Sequence, residues 1–202
     1  AVTGDGPNLW NEAGSTLVAT NNLLTVGTSS TLINGASGNQ VGSLGVPLNA
    51  RISAPGRYGG PTVTIALLPS SPARNAATGS TSAPDQRGLP LVGTADIGAY
   101  EAGTPLDFAT WCLETNGSLL AFGSDTDNDT AAAGLEYALR RHPGARDNTL
   151  IPALVSTNSG RTFTFRYRPA ATDLRYLVQR SSNLVTWTEI YRNDTTTGLI
   201  TK

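Results

Sequence analysis

Apolar positions along the chain keep two different rhythms. Near the start they come as short pulses, Asn8-Leu9-Trp10, Leu17-Val18, Asn22-Leu23-Leu24-Thr25-Val26 and Ser30-Thr31-Leu32-Ile33, separated by Gly, Asn, Ser and Thr. Very short strands that turn at residues tolerant of left-handed backbone predict the coil rhythm of a parallel β-solenoid. Gly59 to Pro69 then reads as a turn, one alternating strand and a proline stop, and Ser70 to Ala83 as loop.

The second rhythm begins near residue 108. Phe108, Trp111, Cys112 and Leu119 fall at helical spacing and predict a short helix over 108–120, with Asp107 as its N-cap. Residues 131–141 (AAAGLEYALRR) predict a second helix, interrupted only by Gly134 and ended by Pro143-Gly144. Arg161 to Arg168 alternates strictly, placing Phe163, Phe165 and Tyr167 on one face. Leu174 to Arg180 and Val185 to Tyr191 predict two more strands, joined through Ser181-Ser182-Asn183. The expectation is an antiparallel sheet of at least three strands with one aromatic face.

Composition supports a mainly β chain of two modules. Charged residues make up 14% of the 202 residues, against about 25% in ordinary soluble proteins, and Gly and Pro number 22 and 12. Residues 1–103 carry four Arg and five acids, whereas 108–202 carry ten basic and nine acidic residues. We therefore divide the chain into 1–103, a linker at 104–107, and 108–202. The net charge of −1 leaves no basic stripe for phosphate backbones, which argues against nucleic acid as a partner. No apolar run is long enough for a membrane span. The only Lys is Lys202, so no internal lysine is available for Schiff-base or isopeptide chemistry. The chain opens Ala-Val-Thr-Gly, without Met, which suggests part of a longer polypeptide.

The most specific chemical signal is Asp125-Thr126-Asp127-Asn128-Asp129, followed by Glu136. Counted from Asp125, carboxylates fall at positions 1, 3, 5 and 12 of a calcium-type loop, and the carbonyl of Ala131 stands at position 7. Alternate residues of a curling loop turn their oxygens inward, as a hard cation requires. Position 6 is Thr130 in place of the usual Gly, and position 9 is Ala133. Two readings stay open: a calcium site, or an acidic turn that caps the following helix. Asp85, Arg87, Asp96 and Glu101 read as ion pairs and turn hydrogen bonds that lock Gly-rich loops. His142 reads as a helix-end residue, since a lone His supports neither a His metal site nor a Ser-His-Asp triad. Cys112 reads as a core thiol. Trp10, Trp111 and Trp187 read as core residues, with Trp187 the candidate for stacking on a sugar.

Three blocks occur in order: Gly59-Gly60-Pro61-Thr62 with Ala66-Leu67-Leu68-Pro69-Ser70-Ser71-Pro72-Ala73, then Asp85-Gln86-Arg87-Gly88, then Asp96-Ile97-Gly98-Ala99-Tyr100-Glu101. Residues 40–103 thereby resemble the region that ends large bacterial secreted parallel β-helix proteins of the choice-of-anchor Q type. Residues 107–192 are similar to a C-terminal module of exported proteins in Verrucomicrobia. The similarity lies in Phe108-Ala109-Thr110-Trp111, the acidic loop running into Glu136-Tyr137-Ala138-Leu139, and Ser181-Ser182-Asn183-Leu184-Val185-Thr186-Trp187-Thr188. The resemblance implies the end of a right-handed parallel β-helix joined to a module of two short helices and an antiparallel sheet. It implies an extracellular or cell-surface location and a structural, anchoring, sorting or assembly role in a larger secreted protein, with no catalytic residues carried over. The implied partners are an upstream β-helix of the same polypeptide and further copies or a cell-envelope component, as in a fibre. The alternative is a carbohydrate-binding or accessory tail of a secreted polysaccharide-degrading enzyme.

Overall fold

The computed structural model describes residues 9, 15–27, 31–79, 83–147, 152–158, 160–194 and 198–201. Trp10, most of the first apolar pulse and Ser30 lie outside them. The described residues are mostly β, in four small sheets, with two short helices. The chain forms two compact units. The first holds 1–105 and 112–119, and the second holds 106–111 and 120–202.

In the first unit, β1 (Leu23–Leu24) pairs in parallel with β2 (Gln40–Val41). β3 (Ile52–Gly56) pairs antiparallel with β4 (Thr64–Leu67) across a register shift between Ile52 and Pro55. The parallel pair carries side-chain bonds of its own. Asn39, which is buried, accepts from the Asn22 amide N–H at 3.0 Å and from Asn22 Nδ2 at 2.9 Å, and donates to the Ala19 carbonyl at 2.9 Å. Gly42 ends β2 where no side chain fits, because a Cβ there would lie 2.2 Å from the Thr25 carbonyl oxygen and 2.4 Å from the Leu48 nitrogen. The mainly β reading holds, and the coils expected of a solenoid are not seen beyond this pair among the described residues. A single parallel pair is present among the described residues, with no stack of coils, and the pulses at Leu17-Val18 and Leu32-Ile33 form no strand.

The core of this unit is small-grained: Ala66, Leu67, Ala73, Ala77, Ala95, Ile97, Tyr100 and Ala102. Alanine methyls remove little apolar area from water, so polar locks carry much of the specificity.

The second unit begins with helix α1 (Phe108–Asn116), whose later residues belong to the first unit. Asp107 caps it as expected, accepting the Thr110 amide N–H at 2.7 Å. The helix stops four residues before Leu120 because Gly117, at φ 79°, takes the left-handed C-terminal position. Helix α2 covers Ala133–Ala138 rather than 131–141. Arg140 adopts φ 58°, the Arg140 amide bonds the Tyr137 carbonyl, and the Arg141 amide bonds the Glu136 carbonyl, so a Schellman turn closes the helix early. Gly134 is needed because the Phe122 ring lies where a Cβ would stand.

Trp111 and Tyr137 are buried together with rings 5.5 Å apart, and Phe108 joins both at 5.7 Å. Asp173 ties this cluster, accepting from the Tyr137 hydroxyl at 2.7 Å and the Phe108 amide at 2.9 Å. Strand β5 (Ala153–Thr157) and β6 (Gly160–Thr164) form one antiparallel hairpin. β7 (Tyr176–Arg180), β8 (Thr188–Asp194) and β9 (Gly198–Thr201) form a separate three-stranded antiparallel sheet. The alternating run 161–168 therefore does not join that sheet. Its strand ends at Thr164 and pairs with Ala153–Thr157, and β9 supplies the third strand instead.

Candidate metal centre

Asp125 nucleates the acidic turn. Its two carboxylate oxygens accept the amide N–H groups of Asp129 at 3.2 Å and Thr130 at 3.0 Å. Desolvation works against its charge, yet the amides of Thr130, Asp129 and Asn128 hold the Asp125 carboxyl below its ordinary range. Asn128 and Thr130 take φ 59° and 75°, so the turn reaches its curvature without glycine. Asp129 is buried, accepts the Ala131 amide at 2.9 Å through one oxygen, and pairs with Arg141 through the other. Arg141 also holds Asp147 at 2.6 Å. Arg146 donates to the Asp127 main-chain carbonyl at 2.6 Å.

One carboxylate oxygen from each of Asp125, Asp127 and Asp129 lies within 4.8 Å of the others, and Asp129, Glu136 and Asp147 form a second such group. This cluster is able to bind a metal ion. The decisive observation is what remains unbonded. Glu136 is 0% exposed, and among the described residues neither its carboxylate oxygens nor those of Asp127 have a hydrogen-bond partner. Burial, with repulsion from Asp127 and Asp129, pushes the Glu136 carboxyl up to about 7. Buried acceptors without donors are costly, and a cation is a group that would satisfy them. The donor set is all oxygen, without Cys or His, which suits a hard divalent ion rather than zinc. Ala131 sits in the loop and is buried.

No model of a known protein family, no curated protein and no solved structure matches this chain.

The other acidic group is different. Asp85 and Arg87 form an ion pair at 2.8 Å with side chains 3% and 0% exposed. Asp85 accepts the Arg87, Leu89 and Glu101 amides, and although burial opposes its charge these bonds and Arg87 keep its carboxyl below the ordinary range. Asp96 and Glu101 are brought to the same place and, among the described residues, pair with no cation. Asp96 accepts the Asn75 and Ala102 amides, both at 2.6 Å. Glu101 accepts the Val92 amide at 3.0 Å and the Asp96 amide at 2.9 Å. Of the expected ion pairs and turn hydrogen bonds, Asp85 with Arg87 forms the ion pair, and Asp96 and Glu101 form the hydrogen bonds. The reason is that a Gly-rich loop presents many N–H groups and few cations. Arg87 donates its remaining hydrogens to the carbonyls of Tyr58 and Glu101 and lies 3.8 Å over the Tyr100 ring.

His142 is exposed and accepts the Gly144 amide through Nδ1 at 3.1 Å. Cys112 and Trp111 are buried. Trp187 is 51% exposed. Sequence reasoning did not find Arg141 and Asp147 as neighbours of the acidic loop, nor Glu114, which accepts the Tyr100 hydroxyl. The Pro143-Gly144 turn was the available signal, since it returns the chain after α2 toward the loop.

Proposed function

We propose that this chain is a structural module of a secreted or cell-surface β-helix protein, closing the end of its coil and carrying a calcium-locked appendage. The observation that carries the coil reading is the β1–β2 pair. Asn22 and Asn39, 17 residues apart, bond side chain to side chain while their strands run parallel, the relation expected of successive coils. Among the described residues β1 has one partner strand, which leaves its other edge for a further strand, and a module that ends such a stack shields it from indiscriminate pairing. The calcium reading rests on the unbonded oxygens of Asp127 and Glu136. With calcium bound, Asp125, Asp127, Asp129 and Glu136 would be its carboxylate ligands, the Ala131 carbonyl its main-chain ligand, and Arg141 and Asp147 would brace Asp129 from behind.

Two measurements test this. Cell fractionation with an antibody against the chain should find it at the surface or in the medium, and a purely cytosolic distribution overturns the location. Millimolar calcium should raise the melting temperature of the second unit, and Asp127→Ala should remove that response. A melting temperature indifferent to calcium leaves the loop as a helix-capping turn. A second role, attachment to polysaccharide, is supported by the open aromatic groove beside Trp187.

A further inference from the structure

The second unit contains a groove of about 1030 Å³ between the β5–β6 hairpin and the β7–β8 strands. Its lining is unusual for a surface in two respects. Five aromatic rings, Phe163, Phe165, Tyr167, Tyr191 and Trp187, face it, and Phe163 and Trp187 are 44% and 51% exposed. Phe165 is the hub, with ring centroids 5.6 Å from Phe163 and 5.9 Å from Tyr191. Among the described residues, the charged ones in the lining are Arg161 and Arg180, and no carboxylate accompanies them.

Phe163 is held by packing against Phe165, so less entropy is lost when a flat ligand lands on it, and Trp187 offers a second, half-exposed ring. The C–H face of a pyranose is such a ligand. Two guanidinium groups beside the platform, without acids of their own in the groove, supply bidentate donors for carboxylates. We infer that this groove binds an acidic polysaccharide, with uronate rings stacking on Trp187 and Phe163 and their carboxylates paired to Arg161 and Arg180. The inference rests on the polysaccharide role proposed above and specifies its chemistry. Single-stranded nucleic acid also stacks on aromatic rings, but it needs a cationic track for each phosphate. A chain of net charge −1 with two arginines in the groove does not supply one.

The test uses the full chain with short oligogalacturonates, the methyl-esterified oligomers of the same backbone, and single-stranded DNA of matched length, each titrated by calorimetry. The expected result is binding to the oligogalacturonates, at least roughly tenfold weaker binding of the esters, and no binding of DNA. Trp187→Ala should lose binding to all sugars while circular dichroism and melting temperature stay unchanged, as the half-exposed ring permits. Arg161→Gln with Arg180→Gln should abolish the preference for the acid over the ester. Equal binding of acid and ester overturns the acidic specificity and leaves the polysaccharide role standing. Absence of binding to either sugar overturns both. Preferential binding of DNA, or a dimer in sedimentation that Trp187→Ala dissolves, assigns the groove to another occupant and overturns the inference.

Discussion

Two acidic turns in this molecule look alike in sequence and differ in what their carboxylates touch. In the first unit, Asp85, Asp96 and Glu101 converge on one place, and each carboxylate accepts main-chain amides, with Arg87 closing the circuit. In the second unit, Asp125 and Asp129 are bonded in the same manner, while the carboxylate oxygens of Asp127 and Glu136 are buried with no donor among the described residues. The first arrangement is complete as a lock. The second leaves four carboxylate oxygens without a donor among the described residues. The number of acids does not separate them; the destination of each lone pair does.

The comparison breaks most severely at Asp85. Asp85→Ala leaves the Arg87 guanidinium buried without its counter-charge, and the expected loss is about 3–5 kcal/mol, measured by urea unfolding with hydrogen exchange read at residues 95–102. The same truncation at Glu136 has the opposite sign without calcium, since removing a repelled buried charge relieves the unit.

Acidity separates the turns next. The Glu136 carboxyl titrates near 7 in the folded chain and near 4.5 when unfolded, so the folded state binds the extra proton between these values. In calcium-free buffer the second unit should therefore lose stability as pH rises from about 4.5 to about 7, and stay at the lower level above that. Saturating calcium should abolish the decline, because the ion takes the deprotonated form, and apparent calcium affinity should climb over the same window. Thermal melts with and without chelator check this, and Glu136→Gln should flatten both curves. A decline that persists in Glu136→Gln would assign it to another group.

The smallest expected effect concerns curvature. Both turns need a left-handed residue; the first has Gly88 at φ 82°, the second Thr130 at φ 75°. A β-branched residue in that conformation is strained by about 1–2 kcal/mol. Thr130→Gly should recover about 1 kcal/mol in the calcium-free protein by urea unfolding, without altering the calcium ligands.

Much of this was readable from the residues. Asp107 marked the start of α1, the alternation of 161–168 put Phe163, Phe165 and Tyr167 on one face, and the spacing of Asp125, Asp127 and Asp129 placed them in one cluster, with Glu136 meeting Asp129 in a second. Other features were not readable. Nothing in an arginine announces left-handed backbone, so the end of α2 at Arg140 was invisible. Alternation fixes a strand's faces but not its partner, so the pairing of 160–164 with 153–157 could not be seen. The cluster around Asp85 showed its charges in sequence, while the amides that satisfy it belong to every residue type and leave no signature.

The alanine-grained core of the first unit has a thermal consequence. Heat-capacity change on unfolding follows apolar area exposed, and a core of Ala66, Ala73, Ala77, Ala95 and Ala102 exposes little of it. The stability curve of that unit is accordingly broad and shallow: held mainly by polar bonds, it surrenders little of its stability on cooling.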